Sequence, residues 1–250
     1  MVRIAAAWSL LAALALAATA VAGDQTAEDG PPAATQSPAL ADDTGARHLY
    51  VLVTLGDAYT LGTETDAPKR DSWPSQLVTA FKHSDTPLRL INLAEAGQSS
   101  GNVVSDQLPH VQSWQPDLVT IQVGVNDIWD GEGEDYASNM ATIFDALEKF
   151  MPSDRIFAIT TPDHGLTPYG SLFGTREEAS QEVARFNAVL RDVAGARGIQ
   201  VIDIGPVNQR VATDLSLLIG DGPYPSAKQY AGWVEIIGPY LYRALHTPAP

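Results

Sequence analysis

Residues 51–62 read Val-Leu-Val-Thr-Leu-Gly-Asp-Ala-Tyr-Thr-Leu-Gly. An aliphatic, largely β-branched run meets Gly56-Asp57, and small and polar residues then lead into a helix-like segment. That order describes a buried strand ending in a loop, and ligand sites of open α/β sheets lie beyond the carboxyl ends of the strands. The stretch therefore predicts an α/β fold whose working edge includes Gly56 to Thr60.

Working outward, strand-like and helix-like segments alternate from His48 onward. Strands are predicted over 49–55, 88–93, 118–123, 156–160 and 199–204. Helices are predicted over 73–83, with Pro74 in the first turn, and over 101–114. Tyr136, Met140, Ile143, Phe144, Leu147, Phe150 and Met151 repeat at helical spacing until Pro152. Val183, Phe186, Leu190 and Val193 mark a helix over 176–198, and a closing helix over 226–245 is expected to break at Gly238-Pro239. Short apolar strands separated by helices call for a parallel sheet covered on both faces. The prediction is a three-layer α/β/α sandwich of flavodoxin-like type with a five-stranded parallel sheet, one domain over 48–247.

Residues 1–22 read as a signal peptide, with Arg3, an apolar Ile4–Ala18 region and Ala20-Val21-Ala22 for cleavage. Residues 23–47, rich in Ala, Pro, Thr and Asp without apolar periodicity, read as a disordered linker. The expected location is therefore secreted, or at the exterior of the cell envelope, with no membrane span left after cleavage. The 250 residues carry a formal charge of -15, which disfavours nucleic acid and anionic membrane surfaces as partners. No cysteine is present, so disulfides, thiolate catalysis and Cys-ligated zinc are excluded. The acidic run Asp130, Glu132, Glu134 and Asp135 does not match a calcium-loop spacing and reads as a solvated loop before a helix. No metal and no cofactor are expected, and a monomer is favoured.

Four patches should fall on the carboxyl edge of the sheet: Gly56-Asp57-Ala58-Tyr59-Thr60, Asn92 to Ser100, Gly124-Val125-Asn126-Asp127 and Asp221-Gly-Pro-Tyr224-Pro225-Ser226. In order and interval they resemble the conserved blocks of the SGNH/GDSL hydrolases. The likeness extends through Thr161-Pro162-Asp163 and Gln229-Tyr230-Ala231-x-Trp233, and so covers 48–245. The resemblance implies acyl transfer in which a Ser attacks an ester carbonyl and a His takes its proton. A Gly N–H and an Asn side chain then hold the oxyanion.

Carried over residue by residue, the resemblance assigns Gly97 and Asn126 to the oxyanion hole and Asp221 to the acid that orients the base. The base position holds Tyr224 and the nucleophile position Ala58. Ala94 and Ala96 also depart from the family pattern. An alanine has no lone pair to attack with, and a phenol with an ordinary pKa of about 10 is a poor base near neutral pH. Asp57 is expected to accept hydrogen bonds from loop N–H groups, and Ser99 and Ser100 to cap the helix after the second strand. His164 is the best-placed alternative base, although an exposed loop position is expected for it. Trp73, Trp114, Trp129 and Trp233 are expected in the core or the cleft wall, with Trp129, like Asp57 and Tyr59, near a ligand. The expected function is a hydrolase-like binding protein for an acyl, ester or acetylated-sugar ligand, probing as an inactive or very weak enzyme. The alternatives are an active ester hydrolase (esterase, lipase or carbohydrate deacetylase) using displaced groups, and an interaction module with a vestigial cleft.

Overall fold

Side chains of successive strand residues point to opposite faces of a sheet, and this alternation sorts the core in two. In β1 (Tyr50–Gly56), Val53 and Leu55 join one buried cluster while Leu52 joins the other. β3 (Leu118–Gln122) divides Val119 and Ile121 from Leu118, and β4 (Ile156–Ile159) divides Ile156 and Ala158 from Phe157 and Ile159. With β2 (Leu88–Asn92) and β5 (Gln200–Ile202) these strands form a five-stranded sheet in the order β2-β1-β3-β4-β5, every pairing parallel. The chain is a computed structural model describing residues 48–131, 133–220 and 222–247. The expected signal peptide (1–22) and linker (23–47) lie outside the described residues, as does Asp221.

Right-handed crossovers decide which face each helix covers. β1 leads to β2 on one side and β2 leads back across β1 to β3, so the intervening helices lie on opposite faces. α1 (Ala58–Leu61), α2 (Pro68–Asp71) and α3 (Trp73–Phe81) occupy the first connection. The second is a helical run of α4 (Ser100–Asn102), a π-turn at Val103–Gln107, and α5 (Leu108–Val111). α6 (Val125–Asp130), α7 (Gly133–Leu147) and α8 (Arg176–Gly195) follow β3 and β4. Val103, Met140, Phe144, Phe186 and Leu190 cover one face of the sheet. After α9 (Gly205–Asn208), α10 (Ala227–His246) returns to the other face, where Trp233, Ile237 and Leu241 pack with Trp73 and Leu77 of α3. Helices thus cover both faces, and the fold is the predicted three-layer α/β/α sandwich.

Two expectations are corrected. α10 runs unbroken through Pro239. Pro239 and Glu235 are both exposed, so the carbonyl that loses its N–H partner faces solvent, while Ile237 and Leu241 on the opposite side are fully buried. Trp114 is not core, being 40% exposed under the Arg89 guanidinium, which lies 5.7 Å from the ring centroid. None of the described helices is long and apolar enough to cross a membrane.

Candidate functional site

The strand order reverses between β1 and β3, where the connections leave in opposite directions, and this opens a crevice at their carboxyl ends, the place where open α/β sheets bind ligands. Gly56 closes β1 at φ +148°, and a Cβ there would stand 2.1 Å from the Gln122 carbonyl oxygen. Only glycine lets the two strand ends approach this closely. Asp57 then caps α1: its Oδ1 accepts from the Tyr59 N–H at 2.9 Å, the role expected of it. Ala58 follows as the first residue of α1, where the side chain offers only a methyl group.

Gln107 joins this turn to the second loop. Its Oε1 accepts from Gly56 N–H at 2.9 Å, and its Nε2 donates to Gly56 O and to Gln98 Oε1, both at 2.8 Å. It comes from the last position of the π-turn, and such insertions re-aim side chains. Sequence reading missed Gln107, because a buried glutamine inside a helix pattern carries no motif. The loop that it steadies presents Gly97, at φ +80° and exposed, with open space where a Cβ would lie. Asn126, at the start of α6, donates from Nδ2 to Gln98 O at 2.9 Å. Gly97 and Asn126, matched to each other by sequence alone, therefore meet at one turn.

Asp127 fastens the same two loops from below. Its carboxylate is 1% exposed and accepts the Ser100 N–H at 2.9 and 3.1 Å as well as the Ser100 hydroxyl, to which Asn139 Nδ2 also donates at 3.0 Å. Ser100 is thus tied to Asp127 in the next loop. The expected capping falls to Ser99 alone, whose N–H and hydroxyl both bond Asn102 Oδ1 at 3.0 Å.

Burial sets the electrostatics. Asp57, 1% exposed, has its pKa raised to about 7, chiefly by desolvation and further by the Asp127 charge, against the lowering effect of the Tyr59 N–H. Tyr224, half-buried just before α10, stacks obliquely on Tyr59 with ring centroids 6.2 Å apart. Burial, Tyr169, Glu64 and Asp57 all push its phenol above the usual value. The group at the base position is therefore protonated at neutral pH.

His164 corrects the expectation of an exposed loop residue: it is 1% exposed. Asp163 accepts from Gly165 N–H and the Ser180 hydroxyl at 2.8 and 2.9 Å, which folds the loop inward and carries the imidazole with it. Burial lowers its pKa to about 4, so it is neutral at pH 7. Trp129 Nε1 donates to His164 Nε2 at 3.4 Å, which puts the neutral ring's proton on Nδ1. Trp129 is half-buried between His164 and Tyr169, with centroids 5.6 and 5.5 Å away. The structure thus collects Asp57, Ala58, Tyr59, Gly97, Asn126, Trp129, His164 and Tyr224 on the carboxyl edge, while Asp221 lies outside the described residues. Among the described residues no group of three or more His, Asp or Glu side chains is placed to hold a metal. Glu132 and the Glu134 side chain of the acidic run are outside that description.

Solved structures share this architecture. The acetylxylan esterase Axe2 of Geobacillus stearothermophilus superposes with a TM-score of 0.61 at 14% identity, covering 80% of this chain and 95% of that one. The α/β hydrolase LAE5 from the metagenome of Lake Arreo, Spain, gives 0.61 at 16% identity over 81% and 98%. At these identities the likeness is one of fold. A multidomain esterase of Ruminococcus flavefaciens is 25% identical over 137 residues, 53% of this chain but only 17% of that protein. The family model for the GDSL-like lipase/acylhydrolase family matches residues 54–231, from β1 into α10, and the chain belongs to this family.

Proposed function

We propose that this domain binds a small acyl, ester or acetylated-sugar ligand and has lost the serine-esterase step of its family. One contrast carries the reading. The Gly97 turn and the Asn126 amide are braced by buried hydrogen bonds, while the attacking position holds the Ala58 methyl and the base position a protonated phenol. N–H donors from the Gly97 turn and the Asn126 amide would polarise a carbonyl oxygen bound between them, while position 58 offers no nucleophile and position 224 no imidazole base to activate one.

Hydrolysis by displaced groups has less support. Asp57 and His164 are each 1% exposed, and an imidazole with a pKa near 4 accepts a proton poorly at pH 7. The acetylated xylan chains named for the Axe2 esterases offer a ligand class to start from. The Arg3 to Ala22 pattern supports export, so that ligand would be met outside the cytoplasm.

The test compares the natural chain with an Ala58→Ser/Tyr224→His variant, measuring hydrolysis of 4-nitrophenyl acetate and calorimetric binding of acetylated xylobiose. The expected outcome is binding by both proteins and turnover by the variant only. Turnover by the natural chain in proportion to purified protein, abolished by His164→Phe, would overturn the reading in favour of a displaced base.

A further inference from the structure

The charged groups around this crevice are of one sign. The ionisable side chains that act on Asp57, Tyr59, Tyr224 and Tyr230 are Asp127, Glu64, Asp57 itself and neighbouring phenols, with no lysine, arginine or histidine among them. Of the basic side chains flanking the crevice loops in sequence, Arg70 pairs with Asp71 at 2.7 Å, Lys228 pairs with Asp214 at 2.8 Å, and Arg89 lies over the Trp114 ring. An ionisable imidazole would add positive charge at the base position, but Tyr224 supplies an electron-rich ring instead.

That ring belongs to a wall of aromatic faces. Tyr224 lies against Tyr59, Trp129 lies against Tyr169, and Tyr169 is close enough to Tyr224 to push its phenol up. Trp129, Tyr169 and Tyr224 are all half-buried, so none of the three is sealed in the core. The Tyr59 hydroxyl, in a residue 1% exposed, has no hydrogen-bond partner among the described residues. Exposed aromatic faces backed by carboxylates attract a weakly hydrated cation far more than they attract a neutral group of the same shape. The formal charge of -15 adds a long-range field of the same sense.

We propose that the crevice takes a small organic cation, a quaternary or protonated amine, seated on Trp129, Tyr169 and Tyr224 in front of Asp57 and Glu64. This deepens the acyl-binding reading and rests on it only for the location of the site, since it assigns a positive charge to the part of the ligand beyond the acyl group.

Calorimetry on the natural chain would use four probes: acetylcholine, its neutral carbon isostere 3,3-dimethylbutyl acetate, tetramethylammonium chloride and ethyl acetate. Acetylcholine is expected to bind about tenfold more tightly than the isostere, or better, with tetramethylammonium also binding. The preference should shrink several-fold in 0.5 M salt and fall to about twofold in Tyr224→Leu, a half-buried position that tolerates truncation. Equal binding of acetylcholine and its isostere, or a preference untouched by Tyr224→Leu, overturns the proposal. If the two neutral esters bind and tetramethylammonium does not, the cation proposal falls while the acyl reading stands. If tetramethylammonium binds and neither neutral ester does, the cation proposal stands and the acyl reading falls.

Discussion

Asp57→Asn should stabilise this protein, and the gain should depend on pH. The Asp57 carboxyl is 1% exposed, and its pKa is raised from 3.8 to about 7. Folding therefore favours the protonated acid. Below pH 3.8 the group is protonated in both folded and unfolded chains, and its stabilising preference is fully present. Between 3.8 and about 7 the folded chain holds a proton that the unfolded chain has released, so stability falls as pH rises. Above about 7 both forms are ionised, and the native state carries the full cost of a buried charge beside Asp127. At 1.36 kcal/mol per pH unit, the displacement amounts to roughly 4 kcal/mol. Asparagine resembles the neutral acid and keeps an oxygen for the Tyr59 N–H. Urea unfolding of the two proteins from pH 4 to pH 9 should show no large difference at pH 4, a widening gap through pH 7 and a plateau near 4 kcal/mol in favour of Asn. His164 titrates in the opposite sense. Its pKa is lowered from 6.5 to about 4, so it removes stability as pH falls through that window. It does so in both proteins and cancels from the difference. A pH-independent difference, or a natural chain more stable than Asp57→Asn at pH 9, would refute the claim that Asp57 ionises against its surroundings.

Gln107→Met keeps the volume and removes three hydrogen bonds, two of them buried; a loss of about 3 kcal/mol is expected, with faster hydrogen exchange at the Gly56 amide, which donates to Gln107 in the natural chain. Unchanged exchange at Gly56 would show that Gln107 does not brace the turn. Gly56→Ala places a Cβ 2.1 Å from the Gln122 carbonyl oxygen at φ +148°, and should cost more than about 3 kcal/mol or prevent folding, as read by urea unfolding and circular dichroism. A variant of native stability would mean that β1 and β3 can separate at the crevice without penalty.

What the sequence made legible follows from the range of the forces involved. Strand faces are a period-2 property of neighbouring residues, so Leu52, Val53 and Leu55 could be read from the chain before their partition into two cores was seen. Element ends shifted by a few residues, as for β5, which is three residues long where 199–204 had been expected. Tertiary environment left fainter traces. Pro239 reads as a breaker because propensity knows nothing of the solvent beside Glu235, and His164 reads as exposed because the bonds of Asp163 that turn it inward reach Ser180, seventeen positions along. Gln107 looks like any helical glutamine until the π-turn aims it at Gly56.

The same division applies to the crevice. Residue types at positions 58, 97, 126 and 224 were readable, because the family resemblance implies a particular atom at each: a nucleophile, an open N–H, an amide and a base. Their environment was not, because it depends on which distant groups surround them. The ring partner of Tyr224 and the Asp127 charge felt by Asp57 are relations between loops after different strands. An alanine and a tyrosine in a familiar pattern announce only that a hydroxymethyl and an imidazole are absent from those two positions. On the proposed reading, half-buried rings beside buried Asp57 and exposed Glu64 give those substitutions a physical direction, because a phenol in place of an imidazole removes a potential positive charge from the site. On the same reading, a crevice altered in that sense carries no imidazolium of its own and leaves its negative field to a cation arriving from solution.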